Sequence, residues 1–449
     1  VPVMFIDSFS PIETLAGFAC LRCDGLGLAQ IDDDAYQAAR QNEPTFRAAR
    51  YERDAGQYAI AIGRAGLLPN LSITGSYSQN KGERESTVVD VTQNLDYRDT
   101  VSAVILRQPL FNYDSFVRYQ QGGVQAAYSD AVFDRKEAEL AVKVTAAYLD
   151  ALFSMDRLAL ADAEIAAYGA QRELAERRRK GGEGTITDVA DAESRLQLAR
   201  AGRADALDRV AVAMRKLEGM TGLPMQPLWI LRPDFMPTGV QPGRLDAWVA
   251  LAQDHNPEIR SRRKAYELAS LEVDRNRAGH MPQLDLVARS TRADNETIST
   301  LNQKSTINSV GVQLNIPLFA GGRVSALTDQ AIANRERALA ELDAAANDVL
   351  VEVTRQFLAV ETGASKVTAY RKAVDASIVA VEGSKRGMMA GIRTNTDVLD
   401  AERVMFGAKR DLFQARYEVL VSTLQLKAAA GVLSEADVAE IAMLLRPLH

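Results

Sequence analysis

The apolar positions of this chain follow two periods that alternate along it. One short stretch has an apolar residue at every second position from Val310 to Leu314. Within residues 323–386, a stretch without proline, valine recurs at every seventh position from Val353 to Val381. A period of two predicts a strand with one apolar face, and a period of seven predicts a helix that coils around a partner. The second stretch therefore predicts a helix of roughly 95 Å.

Two strand hairpins are predicted, at about residues 70–109 and 283–317. In each, two alternating stretches flank a polar segment, at 81–99 in the first and at 290–306 in the second. Alternation around a polar turn is typical of a hairpin, and a stretch of about ten residues is also typical of a transmembrane barrel strand. A soluble hairpin has the same local pattern, so the strands alone leave both structures open.

The chain carries one structural unit twice. Four motifs of the first half recur in the second: Gly66–Leu71 after 213 residues, Pro109–Phe111 after 208, and Thr187–Val189 and Gly222 after 209. The repeat distance falls from 213 residues at the start of the hairpin to 208 at its end. The two copies therefore differ in length in the segment between the two strands of the hairpin. We therefore predict two tandem repeats, 30–223 and 244–449, each with a helix, a hairpin and two long helices joined by a tight turn.

The remaining boundaries follow from proline and small residues. A first helix is predicted at roughly 32–65 and again at 244–278, each ended by a proline, and the long helices at about 115–218 and 323–430. Residues 224–243 hold five prolines and predict a linker or a small ordered side layer. Residues 1–29 end in the cleavage-like Gly27-Leu28-Ala29 and are a secretory leader or a disordered tail.

Composition narrows the function by exclusion. A net charge of −6 and a pI of about 5.4 argue against a phosphate-binding surface, so no nucleic acid partner is expected. Histidines and cysteines that could bind a metal or act as a general base are few, since the chain contains only three histidines and two cysteines, Cys20 and Cys23. The chain has no run of about 18 consecutive apolar residues, so no membrane-spanning helix is predicted. We therefore expect no enzyme, no cofactor and no metal site.

Three motifs resemble the TolC family of outer-membrane efflux and secretion channels. Ile316–Arg323 (IPLFAGGR) resembles the family's strand-to-helix exit, and Ala390–Ala401 (AGIRTNTDVLDA) resembles the hairpin turn at its periplasmic tip. Leu426–Leu433 (LKAAAGVL) resembles the end of its last helix. The three occur in order within the duplicated frame, and the resemblance extends from about Ile31 to the C-terminus.

The resemblance implies a mixed α and transmembrane β fold in the outer membrane of a Gram-negative bacterium. It implies a homotrimer in which each chain gives four strands to a twelve-stranded barrel, continued by a long periplasmic α-helical barrel. The implied partners are outer-membrane lipid, a periplasmic adaptor (membrane fusion) protein and an inner-membrane ABC or proton-driven pump. The implied function is a passive duct for type I protein (toxin) secretion or small-molecule efflux. Physical chemistry agrees on one point: four strands cannot close a barrel, and open edges are not tolerated in lipid.

Two aspartate pairs stand at the two predicted helix turns. Asp188 and Asp191 are three residues apart, as are Asp397 and Asp400, so the members of each pair share a helix face. Carboxylate rings around a pore select cations, which favours a gate. Ordinary helix capping is the alternative, with Thr187 or Asp188 in the first turn and Thr396 or Asp397 in the second as caps. The resemblance favours the gate and assigns it these residues: Thr187, Asp188, Arg393, Asp397 and Asp400.

The resemblance also implies that the turns themselves dock on the periplasmic adaptor. The residues assigned to this contact are Gly182, Gly184, Ala390 and Gly391. Met388 stands where the family usually has an aromatic residue, so the gate is expected to close with fewer hydrogen bonds or differently.

One alternative from another functional class is a soluble coiled-coil scaffold or a periplasmic adaptor. Such a protein explains the seven-residue repeats and the hairpin tips. It does not explain four alternating strands in matched pairs, or the duplication. The sequence favours the channel and leaves its cargo open between proteins and small molecules.

Overall fold

A computed structural model describes residues 31–86, 91–222, 228–296 and 303–446 of the chain. The predicted leader with Cys20 and Cys23 lies outside the described residues, as do Pro224 and Pro227 of the proline-rich segment.

The elements follow one order twice. The first repeat contains α1 (Ile31–Asn42), α2 (Pro44–Ala65), β1 (Asn70–Ser86), β2 (Val91–Phe111), α3 (Tyr113–Lys180) and α4 (Ile186–Thr221). After β3 (Ile230–Leu231), the second contains α5 (Leu245–His255), α6 (Pro257–Arg277), β4 (Gln283–Asn295), β5 (Gln303–Asn315), α7 (Arg323–Met389) and α8 (Asn395–Ala429). The chain continues with α9 (Glu435–Met443) and β6 (Leu445–Arg446). The predicted long helices and tight turns are confirmed, while the exact repeat boundaries stay a prediction.

The first helix of each repeat is broken, and here the prediction of single helices at 32–65 and 244–278 was wrong. Glu43 and Asn256 separate the two halves, and each precedes a proline that opens the next helix. A proline lacks the N–H that would continue the helix, and it moves the residue before it out of the helical region. The Asn256 side chain accepts hydrogen bonds from the backbone N–H groups of Glu258 and Ile259, so the break is capped.

The C-terminal ends of α4 and α8, the second long helix of each repeat, pack against these breaks. Asn42 Nδ2 donates to the carbonyl of Thr221 at 2.7 Å, and Asn256 Nδ2 donates to the carbonyl of Ala429 at 2.7 Å. Gly222 follows Thr221 by one residue, and Gly431, its match in the second repeat, follows Ala429 by two. Gly431 has a φ of 71°, and a Cβ there would lie 2.4 Å from the carbonyl of His255. Glycine is therefore required at position 431 both by its backbone conformation and by this close approach.

The four long strands form one antiparallel sheet in the order β1-β2-β4-β5. The two hairpins join through β2 and β4, with Val104 opposite Ser290. The apolar faces predicted from the alternation are exposed in the single chain, with Ile73 77% and Val310 76% accessible. Among the described residues β1 and β5 each keep one edge unpaired by another strand. The sheet is therefore open on both sides.

The polar segments are not simple turns, which corrects the prediction at 81–99 and 290–306. β1 and β2 pair without interruption from Asn70 opposite Arg107 to Ser86 opposite Val91. Cross-strand polar pairs continue the ladder, such as Lys81 with Asp96 at 3.7 Å. Backbone hydrogen bonds hold an antiparallel pair whatever the side chains, so loss of apolar alternation does not end a strand.

The long helices pack as antiparallel pairs, α3 with α4 and α7 with α8. The predicted valine stripe of α7 is buried at each of its positions, Val353, Val360, Val367, Val374 and Val381. On α8, Leu399, Phe406, Val398 and Val419 are buried as well. With 67 residues α7 is roughly 100 Å long, and the 35 residues of α8 pair with about half of that length.

The proline-rich segment forms a small ordered side layer halfway along the helices. β3 pairs with β6 near the C-terminus, and the Tyr148 hydroxyl accepts a hydrogen bond from the backbone of Trp229 at 3.0 Å. The Arg416 guanidinium of α8 donates to the carbonyls of Arg232 and Pro233, each at 2.7 Å. Of the two alternatives for this segment, the ordered layer applies to its described part.

Candidate gate at the helix tips

Each helix turn at the tip begins its returning helix with the same reciprocal cap. In the second turn, the Thr394 side chain accepts from the backbone N–H of Asp397 at 3.2 Å, and the Asp397 carboxylate accepts from the Thr394 backbone N–H at 2.7 Å. Thr185 and Asp188 repeat this in the first turn at 3.1 and 3.0 Å. The cap residues are thus Thr185 and Thr394, and the predicted caps were wrong by two or three positions. Asp188 and Asp397 stand at the third helical position and complete the box.

Hydrogen bonds to the charged form set the ionisation of Asp397. The backbone N–H and then the hydroxyl of Thr394 lower the pKa of Asp397, and the nearby Arg393 charge adds to this. Arg393 itself is exposed at the turn, as is Thr187 at the start of α4. Asp397 is therefore a carboxylate at neutral pH and serves first as a helix cap.

Asp400 has a different role, because it binds a residue of the other helix pair. Arg195 of α4 donates from Nη2 to Asp400 Oδ1 of α8 at 2.9 Å, and its Nε lies 3.6 Å from Asp191. Arg195 is only 19% exposed and Asp400 is 49% exposed. Sequence reasoning missed Arg195. In the sequence Arg195 lies four residues after Asp191, and this spacing predicts an ordinary ion pair within one helix.

Three further contacts join the α3–α4 pair to the α7–α8 pair at the tip. Arg178 donates to the carbonyl of Met388 at 3.1 Å. Asn395 Nδ2 donates to the carbonyl of Asp188 at 3.4 Å, and the Thr396 hydroxyl lies 3.5 Å from Asp191 Oδ2. We call this set of contacts, with the Arg195–Asp400 ion pair, the tip seam. The seam is polar and partly exposed, and a buried apolar cluster that includes Tyr168, Leu196, Leu399 and Phe406 joins the two pairs directly behind it.

A groove of about 620 Å³ runs between the two turns. Its lining includes Asp188, Arg393, Gly184, Ala390 and Gly391 of the predicted site residues. Gly182 and Gly391 have φ values of 77° and 74°, which explains glycine at both turns. The structure thus brings the predicted gate and docking residues to one end of the molecule, with Asp400 and Arg195 behind them.

Large apolar side chains are exposed beside this groove. Ile186 is 72% exposed, Met389 72% and Ile392 82%. Sequence reasoning did not select these residues, because each lies outside the regular apolar stripe of its helix. Exposed apolar groups around a polar groove are a usual feature of protein contact sites.

Among the described residues no helix is both long and apolar enough to cross a membrane. No group of three or more histidine, cysteine, aspartate or glutamate side chains in those parts of the chain is arranged to hold a metal ion.

Comparison with known proteins gives one family. The family model for outer membrane efflux proteins matches residues 35–223 and 248–432. The proteases secretion protein PrtF of Dickeya chrysanthemi is 37% identical over 91% of this chain and 90% of its own length. The alkaline protease secretion protein AprF of Pseudomonas aeruginosa is 36% identical over 94% and 88%. The outer membrane protein TolC of Escherichia coli is 27% identical over 94% and 86%.

Solved structures agree on the fold. The outer membrane protein VceC from Vibrio cholerae superposes with a TM-score of 0.77 at 17% identity, over 89% of this chain and 96% of that one. The open state of the MtrE outer membrane channel from Neisseria gonorrhoeae gives 0.70 at 18% identity, over 96% and 98%. The expected class, long helices joined to a strand sheet in two repeats, is confirmed. With matches of this extent, the chain belongs to the outer membrane efflux protein family, as its resemblance to TolC implied.

Proposed function

We propose that three copies of this outer-membrane channel protein join their sheets into one twelve-stranded barrel. The observation that supports this is the open sheet: among the described residues, four strands have exposed apolar faces, and β1 and β5 each have an edge unpaired by another strand. Unpaired backbone groups are costly in lipid, so a sheet that enters a bilayer must close. Four strands per chain are too few to close alone, and pooling strands from copies of the chain removes every edge.

The helices continue this barrel as a periplasmic tube that serves as a passive duct. The family is one of transport proteins. Energy for export then comes from an inner-membrane pump, which an adaptor protein connects to the helix tips. The exposed Ile186, Met389 and Ile392 beside the tip groove support a protein contact there. Gly182, Gly184, Ala390 and Gly391 shape the turns that make it.

The favoured cargo is protein, exported in one step by a type I pathway. The relatives at 37% and 36% identity described above are named for the secretion of proteases, and each matches nearly the whole chain. The relatives named TolC lie at 26–28% identity. Small-molecule efflux is the second candidate, because the family takes its name from efflux.

The tube is gated at the tip seam. The Arg195–Asp400 ion pair joins the two helix pairs of one chain, so the pairs cannot separate without breaking it. Asp188 and Asp397 hold the turns in shape through their caps, while Thr187 and Arg393 lie exposed at the mouth. In this proposal Asp400 closes the gate and the capping residues keep its frame rigid.

Complementation tests the cargo. The gene is expressed in a host that lacks its own outer-membrane channel but carries the pump and adaptor of a protease exporter. Protease in the medium with unchanged drug susceptibility is expected. Restored drug resistance without protease secretion would favour efflux. Migration as a heat-resistant trimer in mild detergent is expected as well, whereas a soluble monomer without detergent would contradict the channel.

A further inference from the structure

A buried carboxylate lies directly behind the tip seam. Glu402 of α8 is 1% exposed and lies among the apolar side chains Leu399, Phe406 and Tyr168. Its charge is one of the causes that raise the pKa of Tyr168 to about 12, after burial of the phenol and the charge of Glu164. An ionised carboxylate in such surroundings is costly unless it is well paired and fully hydrogen-bonded.

The pairing of Glu402 is incomplete. Lys385 of α7 places Nζ 2.7 Å from Oε1, and Gln171 of α3 donates from Nε2 to the same oxygen at 3.4 Å. The other oxygen, Oε2, is buried without a hydrogen-bond partner among the described residues, and so is Gln171 Oε1. The Lys385 side chain is 43% exposed, so water screens part of its charge. Each of these two side chains, Glu402 and Gln171, therefore keeps one buried acceptor without a donor among the described residues.

The repeated position in the first half behaves differently. Glu193 precedes Glu402 by the repeat distance of 209 residues. It is 38% exposed and pairs with Arg172 of the adjacent helix at 2.5 Å, entirely within the α3–α4 pair. Only the second copy is buried and reaches from one helix pair to the other. The duplicated frame thus supplies a natural internal control for Glu402.

We propose that Glu402 is a positioning residue that keeps the seam openable, an inference that rests on the proposed gate. In the closed seam its charge is under-paired, so closure carries a cost that is relieved when the helix pairs separate and water reaches Oε2. Arg195–Asp400 favours the closed seam, and Glu402 opposes it from behind. The balance of the two sets how readily the tube opens.

The proposal predicts changes of opposite sign for the two partners of one ion pair. Glu402→Met removes the buried charge in a side chain of similar size, and we expect an open probability roughly tenfold lower. Lys385→Met leaves the carboxylate buried with less compensation, and we expect an open probability roughly tenfold higher. If Glu402 were a simple latch, both variants would raise it. Glu193→Met is the control and should change nothing.

The measurement is single-channel recording of purified, heat-resistant trimers in planar bilayers, with Arg195→Met as a reference for the gate. Should Glu402→Met fail to assemble, Glu402→Gln replaces it, because its amide can donate to Gln171 Oε1. A lower open probability is again expected. A rise in either Glu402 variant overturns the proposal. If Arg195→Met raises the open probability while the Glu402 and Lys385 variants stay at the wild-type value, only this inference fails. If Arg195→Met has no effect but the Glu402 and Lys385 variants move oppositely, only the Arg195 gate fails.

Discussion

The ion pair between Arg195 and Asp400 gives a quantitative prediction for the gate. Arg195→Met keeps the length and apolar stem of the side chain but removes its charge. A hydrogen bond to a charged group is worth about 1.5–3 kcal/mol, but Asp400 is 49% exposed and water screens it, so about 1 kcal/mol remains. Three seams that open together would lose about 3 kcal/mol. That loss raises the ratio of open to closed channels roughly a hundredfold, at 1.36 kcal/mol for each factor of ten.

The assay is single-channel recording of the purified trimer in planar bilayers, and it has a matched control. Arg203 also pairs with an aspartate, Asp162, but within the α3–α4 pair and away from the seam. Arg203→Met should therefore leave the open probability unchanged. Asp400→Asn should match Arg195→Met, and the double variant should add little to either, because both break the ion pair that joins the two helix pairs. If Arg195→Met conducts like the wild type, or if Arg203→Met opens the channel equally, the seam does not gate the tube.

The remaining predictions concern the caps and the matched glycine. Asp397→Asn removes the carboxylate that accepts from Thr394, so amides at the start of α8 should exchange hydrogen faster at neutral pH. Because the folded pKa of Asp397 lies below its ordinary value of 3.8, the wild-type cap should persist above 3.8 and be lost only as the pH falls through that lower pKa. Gly431→Ala should lower the trimer's dissociation temperature, since a positive φ costs a side chain about 1–3 kcal/mol and the Cβ meets the carbonyl of His255. Gly383→Ala, within α7 where a Cβ meets nothing within 4 Å, should leave that temperature equal or higher; equal losses in both glycine variants would contradict the close-approach argument.

Some of the local structure could not be read from the pattern because it depends on contacts far away in sequence. The breaks at Glu43 and Asn256 were missed even though a proline follows each of them. A proline is tolerated in the first turn of a helix, so the choice between a bend and a full break depends on what caps it. Asn256 is held in place by the carbonyl of Ala429, which is 173 residues away.

The roles of the acidic side chains at the gate also could not be distinguished from the sequence. Sequence spacing selected the two aspartate pairs and treated their members alike. The structure separates them, because Asp397 accepts from its own turn while Asp400 accepts from Arg195 of the other helix pair. Glu193 and Glu402 are likewise equivalent in the duplicated sequence but differ in burial.

The sequence by itself determined the type and order of the long helices and strands, and their repetition. The period of the apolar residues decides between helix and strand, and the constant distance between matched motifs decides the duplication. The first is a property of residues near one another in the chain, and the second needs only a comparison of the chain with itself. Only the tertiary structure decided which polar groups pair across the seam and which carboxylate is buried, because those partners come from the other repeat and burial depends on every element packed around them.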